Sequence, residues 1–316
     1  GYTKAVTATA EVVFPSVVGQ AERIRYESDL ISENGRGIHL VTPDGERFVG
    51  ELALLQSRIK WTPQDRGRVT STTMVTLAQA AFSELGVSGD VALVTGLPVE
   101  WYGDREALSE RLKGQHIIRR CGGGCPVVNV SQVLVVPQPF GSLFALILDK
   151  DGKLINEDLA RGRVGIIDVG MHTTDFVLVD RLRYDEKGSG SLTTALSRVH
   201  ELTGRAILDA HSLQLTLHEV DAALRQGTVQ VYGKAKDVLR LAEPALQAVA
   251  EEAKAKAGTL WGDGRDLSAV LVTGGGALAL GHRILSQYPH AVTIPNAAMA
   301  NVHGFLRYGM RKWASV

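Results

Sequence analysis

The chain has 316 residues, 45% of them hydrophobic and 22% charged, so it can bury an ample core and is expected to form two domains. Basic and acidic side chains balance at 34 each, and the apolar runs are shorter than the ~20 residues of a membrane span, which argues against direct binding to nucleic acid or a membrane. The only two cysteines, Cys121 and Cys125, exclude a disulfide-stapled scaffold and favour a reducing, cytoplasmic location.

The first half of the chain alternates strand and helix patterns. Residues 3–14 are rich in strand formers, as in the second arm of a hairpin whose first arm lies upstream of Gly1. Turn residues 42–46 join two short apolar runs and predict another hairpin. The polar turn 149–153 is the predicted boundary of a first domain over 1–150. The other predicted elements are helices over 72–85, 107–112 and 141–148 and strands over 91–94, 115–118 and 127–136.

The second half of the chain also alternates strand and helix patterns. We predict a second domain over 151–296 and a terminal segment, 297–316, that packs back on the first domain. Aligning residues 1–6 with 172–177 places Thr3 on Thr174, so the two domains are expected to derive from one duplicated unit. The predicted elements are a hairpin over 164–179, helices over 192–208, 215–225 and 235–257, a hairpin arm over 228–232, strands over 269–272 and 292–295, and a terminal helix over 297–311.

The hairpin over 164–179 carries the most informative group of polar residues. Its first apolar run delivers Asp168 and Gly170 to a tight turn, and Thr173 and Thr174 add two hydroxyls. A carboxylate beside a turn of backbone N–H groups suits a magnesium-bound phosphate. From the residues alone, Asp168 is either such a group or a strand-end aspartate that satisfies turn amides, and threonines are common in strands anyway.

A run of three glycines follows the buried strand 269–272. Gly274, Gly275 and Gly276, with Ala277 after them, let the backbone approach the flat face of a base and its ribose, because no Cβ stands in the way. A triple glycine also marks any tight turn from strand to helix. Its place after a strand and far downstream of the hairpin favours the nucleotide interpretation.

These motifs, in this order, resemble those of the superfamily of actins, heat-shock chaperones and sugar kinases. The similarity is greatest to plasmid-segregation actins of the ParM/StbA type and to archaeal actin-like proteins, with supporting segments at 49–53, 95–99 and 300–304. The resemblance implies an α/β fold of two duplicated actin-like (ribonuclease H-like) domains. Each would hold a mixed five-stranded sheet flanked by helices, with a nucleotide cleft between the domains.

The resemblance also assigns roles to residues of the second domain. Asp168 is expected to hold Mg²⁺ through a water, and Gly170, His172, Thr173 and Thr174 to line the phosphates. A solvent-facing His172 is equally compatible with the sequence. The glycine turn and Ala277 would contact the adenosine, with further groups from the helices between 192 and 225.

Two further expectations concern the first domain. Gln138 resembles the glutamine with which true actins orient the attacking water, where ParM-type relatives usually carry glutamate; its alternative role is capping the helix that follows. Gly1, Tyr2, Thr3 and Lys4 resemble the end of a second phosphate motif, Asp-x-Gly-x-Gly-x-Thr-Lys, whose aspartate lies outside this sequence. If those upstream residues are truly absent, we expect weak or no hydrolysis.

The implied function is a cytoplasmic ATPase that binds Mg-ATP, or GTP in its place, and polymerises head to tail into filaments. Plasmid segregation or a cytoskeletal role would follow, with a DNA-bound adaptor protein as a candidate partner. A phosphotransferase of the sugar-kinase branch is the main alternative, but Gln138 cannot serve as the carboxylate base that such an enzyme needs. An actin homologue that never polymerises also stays open, because assembly surfaces leave no motif.

The two cysteines are interpreted as part of a loop and not as a metal site. Cys121 and Cys125 flank three glycines and offer two sulfurs, with no histidine or cysteine pair beside them in sequence. Because a structural zinc site needs about four ligands, we expect a loop tip here.

Overall fold

A computed structural model describes residues 1–24, 37–62, 66–121 and 123–313. The described residues fall into two compact units. Unit 1 takes in Gly1–Gly141, Lys150–Lys153 and the chain from Val302 onward, and unit 2 takes in Ser142–Asp149 and Leu154–Asn301. Within this part of the chain, no helix is both long and apolar enough to cross a bilayer.

The elements follow in two groups along the chain. Up to residue 137 they are β1 (Tyr2–Val6), β2 (Glu11–Pro15), β3 (Val18–Gln20), β4 (Ile38–Thr42), β5 (Gly45–Val49), α1 (Glu51–Gln56), β6 (Lys60–Trp61), α2 (Thr72–Glu84), β7 (Gly89–Leu97), α3 (Arg105–Leu112), β8 (Gly114–Ile117), β9 (Arg119–Arg120) and β10 (Val127–Pro137). From residue 138 they are α4 (Gln138–Ile147), α5 (Glu157–Arg161), β11 (Arg163–Val169), β12 (Thr174–Asp180), β13 (Arg183–Leu192), α6 (Leu196–His211), α7 (Leu217–Gln226), β14 (Thr228–Val231), β15 (Lys234–Asp237), α8 (Leu239–Trp261), β16 (Ala269–Thr273), α9 (Ala277–Leu285), β17 (Ala291–Thr293) and α10 (Ala297–Trp313).

The strands of unit 1 form three sheets. β1 pairs with β2, a five-stranded antiparallel sheet has the order β6-β3-β5-β4-β9, and β10 lies between β7 and β8. The parallel pair is β7 with β10, and its crossover contains α3, as a parallel connection requires. The core lies where Leu77 and Ala80 of α2 pack with Leu40 and Val130 of the sheets.

Unit 2 is built on one mixed sheet of the order β13-β12-β11-β16-β17. Nearly every residue of β11 and β12 is buried, the pattern of strands covered on both faces. The alanine-rich face of α8 packs on this sheet and ends in Trp261, whose ring lies edge-on to Phe176. The Trp261 indole N–H donates to the Gly188 carbonyl at 2.7 Å, so its polar atom is satisfied inside the core.

The predicted fold class is confirmed, and several element limits differ. The strands of unit 1 divide into three sheets, and the two-residue turn that joins β4 to β5 permits only antiparallel pairing of those two strands. Helix α4 begins at Gln138 rather than at residue 141, since Pro139 is compatible with a first helical turn. The helix predicted from residue 192 begins at Leu196, and residues 234–237 form β15 instead of a helix start. The predicted domain limits at residues 150 and 296 are not tested by the division into compact units, so they stay predictions.

Candidate functional site

The tight turn between β11 and β12 presents the polar residues singled out in the sequence. Asp168 lies near the end of β11, pairs in register with Asp175 of β12 and is 2% exposed. A single backbone bond, from the Gly170 N–H to the Thr173 carbonyl at 2.9 Å, closes the turn over Met171 and His172. A Cβ on Gly170 would stand 2.9 Å from that carbonyl oxygen, so only glycine fits without distortion.

A chain of buried hydrogen bonds orients the Asp168 carboxylate. The Asn301 side-chain amide donates from Nδ2 to Asp168 Oδ2 at 2.8 Å. On its other side, Asn301 Oδ1 accepts the backbone N–H of Ser142 at 3.0 Å and the Ser142 hydroxyl at 2.6 Å. Because a backbone N–H can only donate, it fixes which end of the Asn301 amide is the oxygen. The amide N–H is thereby committed to the carboxylate.

The chain of hydrogen bonds begins at Thr273, on the far side of Ser142 from Asn301. Ser142 Oγ lies 2.6 Å from Thr273 Oγ1, and both side chains are fully buried. Both short contacts of Ser142 are satisfied when Thr273 donates to Ser142 and Ser142 donates to Asn301. Every donor then points toward Asp168. Successive hydrogen bonds polarise one another, so this arrangement fixes the orientation of the carboxylate, as binding of a hard cation requires.

The glycine turn packs directly against that carboxylate. Gly274 has φ +89°, and a Cβ there would lie 2.2 Å from Asp168 Oδ1 and 2.4 Å from the Val169 carbonyl oxygen. The Gly276 N–H donates to the same carbonyl at 2.9 Å. Gly275 is exposed, whereas Gly274, Gly276 and Ala277 are buried. The structure therefore places the predicted adenosine turn and the predicted magnesium ligand side by side.

The threonines of the hairpin differ in how their hydroxyls are used. Thr174 is 1% exposed and donates its hydroxyl to the Thr194 carbonyl at 2.9 Å. Thr173 is half-buried and donates to Asp175 Oδ2 at 3.2 Å. Of the two, Thr173 at the turn is better placed to turn its hydroxyl toward a ligand. Direct phosphate contacts by these residues and by His172 stay predictions.

Unit 1 holds the remaining residues predicted from the sequence. Gly1–Lys4 lies at the start of β1, where the Thr3 hydroxyl contacts the Ser16 hydroxyl at 2.9 Å. Gln138 opens α4, and its side chain forms no hydrogen bond with the part of the chain that the structure describes, so it is not used as a helix cap. A Cβ on Gly96 would lie 3.0 Å from Gln138 Cα and 2.5 Å from the Phe305 ring. The small residue at 96 thus permits the close approach of β7 to the start of α4.

The helices predicted to contact the base contain a small cavity of about 180 Å³ between α6 and α7. Its wall includes Glu201, Arg205 and the buried His200. His200 Nε2 lies 3.5 Å from Asp221 Oδ1, and Asp221 also accepts from Arg225 at 3.0 Å. Burial lowers the pKa of His200, and the neighbouring Asp221 opposes that shift only in part. The imidazole is therefore held neutral inside the unit.

Ser142 and Thr273 were not identified as site residues from the sequence. Both are hydroxyls surrounded by apolar neighbours, and such residues occur in helices and at strand ends without any function. Asn301 was noted only as part of a supporting segment. Each of the three is a polar residue in an otherwise apolar stretch, but nothing in the sequence shows that these positions are in contact.

Two family models match the chain, one for each half. Residues 1–141 match the model described as the N-terminal domain of actin-like proteins. Residues 166–285 match the model of the C-terminal domain of MreB-like archaeal actin homologues. A search of curated proteins gives no significant match.

Solved structures with the same fold cover nearly the whole chain. A 15-stranded ParM filament from Clostridium botulinum is 22% identical, with a TM-score of 0.81 over 98% of this chain and 96% of that chain. An archaeal actin homologue in complex with ADP is 19% identical, with a TM-score of 0.82 over the same shares. The apo ParM protein of psk41 is 18% identical, with a TM-score of 0.74 over 100% of this chain and 95% of that chain.

Proposed function

The chain belongs to the actin-like protein family, and from that premise we propose that it binds Mg-ATP and assembles head to tail into filaments that nucleotide hydrolysis destabilises. Similar chains form filaments and bind ADP, as the ParM filament and the archaeal ADP complex illustrate. Open, non-closing contacts between identical protomers generate such filaments. Plasmid segregation through a DNA-bound adaptor, or a cytoskeletal role, is the proposed setting in the cytoplasm.

The observation that carries this proposal is the oriented carboxylate of Asp168 beside the glycine turn. The donor type fits Mg²⁺, because Mg²⁺ prefers oxygen ligands and the Asn301 amide fixes the Asp168 carboxylate in place. When bound, Mg²⁺ would neutralise the charge that develops in phosphoryl transfer. Asp168 would hold that ion through a water.

The other residues act by positioning. The lack of a side chain at Gly274 lets the glycine turn approach the carboxylate closely, and the Gly170 turn would present Thr173 to the phosphates. Gln138 would orient the attacking water, with Gly1–Lys4 as the second phosphate segment. Phosphoryl transfer requires mainly positioning and charge neutralisation, so the absence of a carboxylate at 138 is compatible with hydrolysis.

The competing function is phosphoryl transfer to a small molecule. That reaction needs a carboxylate to take the proton from the acceptor hydroxyl. Gln138 cannot do so, and Asp168 is already committed to Asn301 on one of its oxygens. An actin homologue that binds nucleotide without assembly is the second alternative.

Light scattering and phosphate release, followed together after Mg-ATP addition, test the proposal. Wild-type protein should gain scattering with Mg-ATP and much less with ADP. Gln138→Ala should still assemble but release phosphate at least about tenfold more slowly, whereas Gln138→Glu, which restores a polar group of the same length, should release it faster than Gln138→Ala. Phosphate transfer to a metabolite without any scattering would contradict the filament proposal.

A further inference from the structure

A group of metal-ligand side chains, none of them among the site residues described above, lies in unit 1. His39 of β4, Glu46 of β5 and Cys121 at the end of β9 each place one donor atom within 4.8 Å of the other two. His39 Nε2 and Glu46 Oε2 are 3.0 Å apart. The sequence showed two cysteines and no further ligand, and the fold supplies a histidine and a carboxylate.

Strand register explains how three distant residues meet. In the β4–β5 pairing, Glu46 lies opposite Val41, which places it on the same face as His39. In the β4–β9 pairing, Arg120 lies opposite Leu40, and the next residue, Cys121, donates its backbone N–H to the His39 carbonyl at 3.0 Å. The three donors therefore belong to one face of one sheet.

The face that carries the three donors is accessible to solvent. Glu46 is 59% exposed and His39 24% exposed at the side chain. Arg120 is turned away, because its guanidinium pairs with Glu84 at 2.9 Å. The His39 ring is steadied by an edge-on contact with Phe48 at 4.7 Å. Burial and, to a smaller extent, the Glu46 carboxylate raise the pKa of the Cys121 thiol.

The donor types select the class of ion. A thiolate, an imidazole and a carboxylate together suit a borderline metal such as Zn²⁺ and do not suit Mg²⁺ or Ca²⁺, which prefer oxygen. With bonds of about 2.0–2.3 Å, tetrahedral ligands lie roughly 3.3–3.8 Å apart. Closing the present spacing of up to 4.8 Å needs a shift of about 1 Å, within reach of an exposed glutamate.

We propose that His39 Nε2, Glu46 Oε2 and Cys121 Sγ bind one Zn²⁺-class ion, with water in the fourth position. The ion ties the end of β9 to the β4–β5 hairpin. Because the donors come from β4, β5 and the residue that follows β9, binding stabilises folded unit 1 by mass action and requires the folded sheet. None of these three residues is among those of the proposed nucleotide site, and this proposal does not depend on that site.

Titration of the full chain under reducing conditions with Co²⁺ and then Zn²⁺ tests the site. Wild-type protein should bind one ion per chain, show thiolate-to-cobalt charge transfer and tetrahedral visible bands, and melt at a higher temperature with Zn²⁺. Cys121→Ser and His39→Gln should each weaken binding by at least about 100-fold, the upper end of what loss of an outer-shell partner costs. Glu46→Gln, at an exposed position that does not endanger folding, should weaken it by about tenfold or more.

Cys125→Ser is the matched control, since it also removes one of the two thiols. It should bind Zn²⁺ within about threefold of the wild-type protein. Equal loss in both cysteine variants, with binding retained in His39→Gln, would overturn the site in favour of a chelate of the two sulfurs. Absence of the thiolate band in wild-type protein whose far-ultraviolet circular dichroism is that of a folded chain would also overturn it.

Discussion

Replacing Gly274 with alanine perturbs the proposed magnesium ligand, Asp168, without replacing any charged residue. The new Cβ would stand 2.2 Å from Asp168 Oδ1, while non-bonded contacts of a real Cβ are essentially never under 3.0 Å. The carboxylate must therefore retreat by about 0.8 Å or more, and the Val169 carbonyl, 2.4 Å away, must also move. A misplacement of about 1 Å at a positioned group costs roughly 100-fold, so Mg-ATP affinity should fall by about 10- to 100-fold.

Gly233→Ala is the matched control for backbone strain. Gly233 also has positive φ, +73°, but nothing lies within 4 Å of the position of its Cβ. Both variants should lose about 1–2 kcal/mol of unfolding free energy from the left-handed backbone, and Gly274→Ala should lose more. Isothermal titration with Mg-ATP separates the two effects: nucleotide affinity falls only in Gly274→Ala. If the two folded variants bound Mg-ATP equally well, the placement of Gly274 beside a magnesium ligand would be refuted.

Four further predictions concern the same units. Asn301→Ala removes the hydrogen-bond partner of the Ser142 N–H and of the Asp168 carboxylate. In urea denaturation it should lower the unfolding free energy by about 2–4 kcal/mol. The control, Asn129→Ala at an exposed position, should lower it by less than about 1 kcal/mol. Because burial lowers the pKa of His200 in the folded chain, the unfolded chain binds a proton more readily. The contribution of His200 to stability should be fully present above the ordinary histidine pKa of about 6.5 and should fall as the pH drops below it. His200→Asn should therefore reduce the difference in melting temperature between pH 7.5 and pH 5.5. Trp261→Phe removes the indole N–H that donates to the Gly188 carbonyl and should lower the unfolding free energy by about 1–3 kcal/mol in chemical denaturation. A change near zero would contradict the contribution of this buried hydrogen bond. Thr216→Ala removes the capping box of α7 and should cost about 1 kcal/mol, with no change in nucleotide affinity.

The fold was predictable where local signals and chain order agree. Two apolar strands around Asp168, and a glycine turn after a buried strand, indicated the second unit and its polar turn. Those signals are local, because they depend on strand patterns and on glycine's freedom at positive φ. The order of the motifs then indicated the family.

The contacts that hold the site together could not be predicted from the sequence. Ser142, Thr273 and Asn301 lie on three elements separated by 131 and 28 positions along the chain, and only the folded unit brings their side chains together. The same holds for His39 and Cys121, whose proximity depends on the register of β4 with β9. Register is set by packing across the sheet, which a single sequence does not reveal.

Equilibrium binding of ATP with and without Mg²⁺, compared between wild-type protein and Asp168→Asn, tests the central claim most directly. Asparagine keeps the size of the side chain and an oxygen for the Asn301 amide but removes the charge. The wild-type chain should bind ATP at least about tenfold more tightly with Mg²⁺ than with a chelator, and the variant should lose that difference while keeping the metal-free affinity. An unchanged magnesium dependence in folded Asp168→Asn would contradict the account.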